Sequence, residues 1–578
     1  MVHNTAITPA FDKAADSSSP TFAPQAWISH CEPALSTNNT GPLAGLTFAV
    51  KDNMDVAGMP TTAACPAFAF TPKEHAQVVQ KLLAAGATLV GKTNMDQFAC
   101  GLNGSRSPYG AVPNAFDPAY VSGGSSSGSA YVVATGQVDF SLGTDTAGSG
   151  RVPAGLNNIV GIKPTKGLVS TRGILPAAQS VDCVSIFART VDMAARVLQV
   201  LAGHDAQDAY SRRVDLTSDA WGESFRFGVP SSLNFFGDAL AQAAFANSIE
   251  QLTNLGGTAV AIDYTPLAAA ADLLYNSALV AERYAAIKPF FDAHESEVIE
   301  PVRSIIAKGR DYSAADLYAA QTQLRAYGQQ AAAMWDSIDL LLVPTAPTHY
   351  TIAQMQADPV ALNRNLGEYT NFVNLLDYAA ISVPSSLRSD GLPFGVTLIG
   401  PCGSDWQLAE LGRRLHQNTG LKQGVTGLNV PNVALAQSKR ARAAIESVAT
   451  MAVAVVGAHL TGMPLNPQLT ERGATLRQTT STTSHYRLYA LPNTTPPKPG
   501  LRRVATGGAA IALEVWDMPV SQVGSFLALI PAPLGLGQIE LADGSWVTGF
   551  ICEGHALDAA QDVTAHGGWR AYIQSLKP

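Results

Sequence analysis

Residues 122–151, SGGSSSGSAYVVATGQVDFSLGTDTAGSGR, constrain the fold more than any other stretch of the chain. Two glycines and three serines make a loop, AYVVA continues as a helix, and VDFSLGTD alternates as a strand that runs into a second turn of small residues. The same succession recurs nearby. LAGLTFAVKD (43–52) reads as a buried strand and AQVVQKLLAAGATLVGK (76–92) as a helix followed by a strand. Helical patterns dominate 266–337, and strand patterns return at DLLLVPTAP (339–347) and FGVTLIGP (394–401). Short β-rich runs alternating with amphipathic helices predict a layered α/β fold.

At 578 residues the chain is too long for one ordinary core. The first unit is expected to occupy 1–420, closing on the helix DWQLAELGRRLHQ. Residues 421–445 mix Gly, Asn, Gln and basic residues without periodicity and read as a linker with a helical end. From 446 to 578 the pattern turns towards β in MAVAVVGAHL, HYRLYALP, AAIALEVWDMP and WVTGFICE, which predicts a separate, smaller α+β domain.

Charged residues make up 14% of the chain and hydrophobic ones 47%, a balance that favours large cores over a charged scaffold. The net charge of -8 argues against nucleic acid or an anionic membrane as partner, while one local arginine can still hold a small anion. Six scattered cysteines form no C-x-x-C and no zinc pattern, so buried free thiols in a reducing compartment are expected. The first twenty residues carry acids and no apolar core, and no run of 18 apolar residues occurs; a cytoplasmic protein without a membrane span is expected.

The Gly/Ser loop matches neither G-x-x-x-x-G-K-[ST] nor G-x-G-x-x-G, so it is not read as a phosphate cradle. Residues 124–128 formally match G-x-S-x-G. That elbow needs a downstream Asp and His, and His204, His349 and His416 stand in no recommending context. The second turn, GTDTAGSG, is more informative. It places Ser149 where several backbone N–H groups can converge, as an oxyanion requires. A serine hydroxyl also needs a base. Lys51 ends an apolar strand, where burial would favour its neutral form, although a lone strand-end lysine ordinarily reaches out to solvent.

Lys51 in AVKDN, the GGSSSGSA loop and TDTAGSGR resemble, in that order, the motifs of the amidase signature family. Ser125 lies 74 residues after Lys51 and Ser149 a further 24, as in that family. The resemblance implies a mixed central sheet covered by helices. It also implies a catalytic set of Lys51 as base, Ser125 in a cis peptide as relay and Ser149 as nucleophile. An oxyanion hole from the N–H groups of Thr146, Ala147 and Gly148 is implied, with substrate contacts near Gly101-Leu102-Asn103 and Gly123-Gly124. Ala147-Gly148-Ser149-Gly150 departs from the Gly-Gly-Ser-Ile/Phe of many members but keeps small residues where backbone must approach.

TNMDQFACGLNGSRSPYGAVPNAFDPAYVSGGSSSGSA resembles the allophanate hydrolase branch of that family, as does VVGAHLTGMPLN…YRLYALP…GLGQIELADGSWVTGFICE. Allophanate, a urea bearing a carboxylate, is then the expected substrate. The branch grips that carboxylate with a tyrosine and an arginine eight residues apart, which maps to Tyr275 and Arg283. On one continuous helix that spacing would put both on one face. No metal or cofactor is implied. A homodimer through the amidase domain is, together with a link to a separate urea carboxylase or to cyanuric acid and biuret degradation.

The C-terminal stretch is similar to γ-glutamyl cyclotransferases, and in the family it acts on N-carboxycarbamate. His459, in the turn after VAVVG, is the candidate for catalysis or anion binding there, with Tyr486 and Arg487 expected to line the same pocket. Glu514 and Glu553 are further candidates that match no cyclotransferase acid. Three alternatives stay open: a broader amidase for malonamate-like amides, one component of an ammonia-passing amidotransferase, and a C-terminal module that only docks or oligomerises.

Overall fold

A computed structural model of the chain describes residues 22–217, 220–431 and 450–576. The chain divides into two compact units, Met1–Asn432 and Val433–Pro578.

In the first unit the strands are β1 (Trp27–Leu35), β2 (Thr47–Lys51), β3 (Thr88–Thr93), β4 (Phe140–Asp145), β5 (Val160–Lys163) and β6 (Cys183–Ala188). They continue with β7 (Phe225–Pro230), β8 (Gly257–Ile262), β9 (Leu340–Pro344), β10 (Ala379–Leu387) and β11 (Pro393–Gly400). Among the described residues they form one mixed sheet in the order β1-β3-β2-β4-β6-β5-β10-β11-β9-β7-β8. Its central strands are buried along their whole length, polar positions included: β4, β6 and β11 are buried at every position. Phe48, Phe140, Ile186, Val383 and Leu398 lie in the main core cluster.

β2 lies parallel to both β3 and β4, Val50 opposite Leu142. The C-terminal ends of β2 and β4 therefore deliver Lys51 and Asp145 to the same edge. The helix Ser127–Ala134, buried at all eight positions, returns the chain between the Gly/Ser loop and β4.

The residues from Leu421, expected to begin a linker, are bound to this unit. Val425 N–H donates to Ala134 O (3.0 Å) and Asn158 Nδ2 to Lys422 O (2.8 Å). Polar, aperiodic sequence here is a strap satisfied by backbone and side-chain groups of the core. The rest of the expected linker, from 432 to 445, lies outside the described residues, as do residues 1–21.

The second unit carries β12 (Thr450–Val455), β13 (Thr475–Ser481), β14 (Tyr486–Ala490), β15 (Pro499–Arg503), β16 (Ala512–Pro519), β17 (Leu534–Glu540), β18 (Trp546–Cys552) and β19 (Gln561–Asp562). They fall into a five-stranded sheet, β13-β16-β12-β18-β17, and a three-stranded sheet, β15-β14-β19, over a core that includes Val453, Leu488, Val515 and Trp569. No helix among the described residues is long and apolar enough to cross a membrane.

Candidate active site

Lys51 does not reach solvent. It is fully buried, and its Nζ donates to Ser125 Oγ (2.7 Å) and Thr144 Oγ1 (2.8 Å). Burial depresses its pKa to about 7 against the pull of Asp96, Asp182 and Asp145, with Arg283 adding to the depression. Near neutrality the amine can therefore exchange a proton. The Gly124–Ser125 peptide is cis. Asp96 N–H donates to Ser125 O (3.0 Å), and the Asp96 carboxylate receives Gly104 N–H and Arg106 N–H, which ties the serine loop to the loop after β3.

Ser149 stands in the turn after β4, 3% exposed. Asp145 organises that turn. Its carboxylate accepts from Gly148 N–H (2.9 Å), Gly150 N–H (3.0 Å) and both Nε and Nη2 of Arg151 (each 2.9 Å). Burial would raise the Asp145 carboxyl, but Arg151 and Lys163 outweigh it and hold it below the usual range. Gly148 has φ +131°, and a Cβ there would run into the Thr370 side chain. This also corrects the expected oxyanion trio. The Gly148 N–H is engaged by Asp145, because the strand-to-helix turn folds around that carboxylate.

Tyr275 and Arg283 come together, though not by the expected route. The helix Thr265–Asn276 ends just after Tyr275, Ser277 is extended (φ -138°, ψ 180°), and Arg283 belongs to a new helix, Ala281–His294. Ser277 Oγ accepts from Leu279 N–H (3.2 Å) and starts the intervening 3-10 turn, so the chain bends instead of presenting one helical face. Arg283 Nη2 donates to Tyr275 Oη (3.2 Å), with its guanidinium carbon 5.2 Å from the ring centroid. The arginine is 4% exposed, and its Nε and Nη1 have no hydrogen-bond partner among the described residues. Buried donors of a charged group are rarely left unpaired. The unpaired Nη1, next to Nη2 at the open end of the guanidinium, suits a small anion, and Nε offers a further donor on another edge. Tyr275 also lines a cavity of about 220 Å³ with Arg106, Asn363 and Asn371.

Of the expected neighbouring contacts, Leu102 N–H and Asn103 Nδ2 both donate to Asn363 Oδ1 (2.8 Å each), so that segment is tied down by its own chain. Gly123 and Gly124 are close-approach positions; a Cβ would meet Pro153 at the first and Asp96 at the second.

Asp145 and Asp182 were not singled out from sequence. Asp145 and Arg151 do flank the Gly/Ser turn six residues apart, which is a legible signal. Asp182 has none. Its Oδ1 accepts from Thr146 Oγ1 (2.5 Å) and its Oδ2 from Ala177 N–H (2.7 Å). Burial lifts it to about 6 despite Thr146, Ala177 and Arg283.

In the second unit His459 Nε2 pairs with Gln468 Oε1 (2.9 Å), and its ring stacks on Phe550 at 5.0 Å. A cavity beside it is lined by Lys498, Leu465, Leu529, Leu534 and Phe550, among others. Tyr486 and Arg487 are not among its lining residues; other groups engage both. Tyr486 is buried and accepts from Glu540 N–H (2.8 Å); Arg487 Nε donates to Gly507 O (2.8 Å). Glu514 is saturated by Thr461 N–H, Thr461 Oγ1, Trp516 Nε1 and Arg570. Glu553 sits at the surface, 3.3 Å from His555 Nδ1. Among the described residues no group of His, Cys, Asp and Glu is placed to hold a metal.

The Amidase family model matches residues 18–409, and that of the allophanate hydrolase C-terminal domain matches 451–574. The chain is 44% identical over 549 residues to a urea amidolyase of Saccharomyces cerevisiae, covering 93% of this chain and 30% of that protein. It thus spans under a third of the length of that relative. It is 34% identical to a glutamyl-tRNA(Gln) amidotransferase chain of a Synechococcus species, over 65% of this chain and 84% of the relative. The structure of Kluyveromyces lactis allophanate hydrolase superposes with a TM-score of 0.70 at 40% identity, covering 96% of this chain and 95% of that one.

Proposed function

The chain belongs to the amidase family, and we propose that within it the protein hydrolyses allophanate, using Lys51 as base, Ser125 as proton relay and Ser149 as nucleophile. The observation that carries the substrate is the buried Arg283 fork with Nε and Nη1 unpaired beside the Tyr275 hydroxyl. A small carboxylate would pair with the open Nη1 end of the guanidinium and leave the far end of the molecule to be presented to Ser149.

Neutral Lys51 takes the Ser125 proton as Ser125 takes that of Ser149, whose Oγ attacks the terminal carbonyl. Thr146 and Ala147 N–H groups hold the oxyanion. Collapse breaks the terminal C–N bond, and the leaving nitrogen receives the relayed proton and departs as ammonia. Water, deprotonated by the same relay, then releases N-carboxycarbamate from Ser149. We assign the breakdown of that product to ammonia and carbon dioxide to the second unit. A urea carboxylase, or the hydrolysis of biuret, is the reaction class that supplies allophanate.

The test is ammonia release by the full chain from allophanate, malonamate and glutamine at equal concentration. The highest kcat/KM is expected for allophanate; a higher value for either of the others would overturn the reading.

A further inference from the structure

Asp182 is a carboxylate that the proposed reaction leaves unused. It stands one residue before β6. Because β4 and β6 run antiparallel with Asp145 opposite Cys183, the next step of the ladder sets Asp182 opposite Thr146 of the serine turn. Thr146 Oγ1 donates to its Oδ1 (2.5 Å), and the N–H groups of Ala177 (2.7 Å) and Ala178 (3.2 Å) donate to its Oδ2. The same turn is clamped to the helix Ala281–His294, since Ser180 N–H and Oγ both donate to the Glu282 carboxylate (2.7 Å each). Arg283, the next residue on that helix, attracts Asp182 electrostatically but makes no hydrogen bond to it among the described residues; its Nη2 goes to Tyr275, and its Nε and Nη1 have no partner. Asp182 is thus held near an open guanidinium without neutralising it.

The charged and titratable groups around this carboxylate are Arg283, Lys51 at the end of β2 and the neighbouring Cys183 thiol, with Asp145 acting on the same lysine and thiol. Burial already lifts Asp182 to about 6, and Arg283 opposes that rise. An anion on Arg283 would cancel this opposition and add a like charge, so both changes favour the protonated acid.

We propose that Asp182 takes up a proton when a carboxylate occupies Arg283, and so acts as the positioning residue that couples anion binding to the Thr146 turn. The inference rests on the reading that the substrate carboxylate sits on Arg283. The proton comes from solvent, to which Asp182 is partly exposed. It settles on Oδ1, because Oδ2 takes the shorter N–H bonds. The bond to Thr146 then reverses: Asp182 donates, Thr146 Oγ1 accepts, and the threonine hydrogen is free to bond elsewhere. A neutral acid faces the bound anion.

Malonamate, a monoanion near neutrality, is the probe. It is titrated calorimetrically into the full chain carrying Lys51→Ala, which is expected to stop turnover and removes the other group that titrates near neutrality. Buffers of different ionisation enthalpy count the protons, and about half a proton or more should be taken up per malonamate at about pH 7. That measurement leaves Asp182 in place. Its Kd should rise about tenfold between about pH 6 and about pH 8, since uptake is lost as protons become scarce. With Asp182→Asn added, uptake should vanish and Kd should become flat with pH. Binding without uptake, or uptake that survives Asp182→Asn, would overturn the inference and leave the amidase reading standing. Binding left unchanged by Arg283→Ala would take the carboxylate off Arg283 and overturn the substrate reading instead. No binding at all would overturn the inference, and ammonia release from allophanate then decides the amidase reading by itself.

Discussion

Arg283 Nη2 lies 3.2 Å from Tyr275 Oη although the helix that carries the tyrosine ends one residue after it. The break at Ser277 turns the arginine back over the tyrosine ring, so that ring and hydroxyl together fix a guanidinium whose Nε and Nη1 stay open. Fixing the fork in advance lowers the ordering cost of binding a small anion.

Replacing that fork with a point charge should be costly. Arg283→Lys keeps the charge and loses the bidentate geometry, so KM for allophanate is expected to rise about 10- to 100-fold, with a smaller fall in kcat. Steady-state kinetics check it; an unchanged KM removes Arg283 from substrate binding.

The depressed pKa of Lys51 gives the pH profile its sign. The base must be neutral, so kcat/KM should fall tenfold per pH unit below about pH 7 and level off above it. The unfolded chain binds this proton more tightly than the folded one. Lys51 therefore costs stability below about pH 7, and the cost fades as pH rises towards the ordinary lysine value. A rate that stays flat down to pH 5 would dismiss Lys51 as base.

Ser149→Ala and Lys51→Ala should each lower kcat by at least about 10³-fold. Circular dichroism should still show a folded chain. Wild-type turnover by either variant refutes the assigned roles.

The turn that presents Ser149 can be tested through its backbone. In Gly148→Ala the new methyl meets Thr370 at a left-handed φ, so about 1–3 kcal/mol of stability should be lost along with most activity. Thermal or denaturant unfolding measures the loss, and an unchanged stability would contradict the close approach of Gly148 to Thr370.

Asp145→Asn should destabilise the first unit by about 3–5 kcal/mol, because Arg151 would be left buried and charged without its partner, both side chains being fully buried. Denaturant unfolding followed on that unit measures it, and a loss below about 1 kcal/mol would contradict the pairing.

Much of this was legible along the chain. The strand ending at Lys51, the helix after the serine loop and the strand before Ser149 are each written in local periodicity and small-residue turns, which act over a few neighbours. Their order and spacing already implied the family. The Tyr275–Arg283 spacing named two residues that do meet, though not on one helical face, since a serine cap that restarts a helix is a weaker local signal than the apolar pattern running through it.

Residue order alone settles which groups are available: Lys51, Ser125, Ser149, the Tyr–Arg pair and a β-rich second unit. The state of those groups is set by packing in three dimensions. Complete burial among Asp96, Asp145 and Asp182 holds the Lys51 proton near neutrality, Asp145 claims the Gly148 N–H, and Lys498 comes to share a cavity with His459 across some forty residues of chain. Desolvation, Coulomb fields and hydrogen-bond competition depend on distance in space, and those distances join residues that the chain itself keeps far apart.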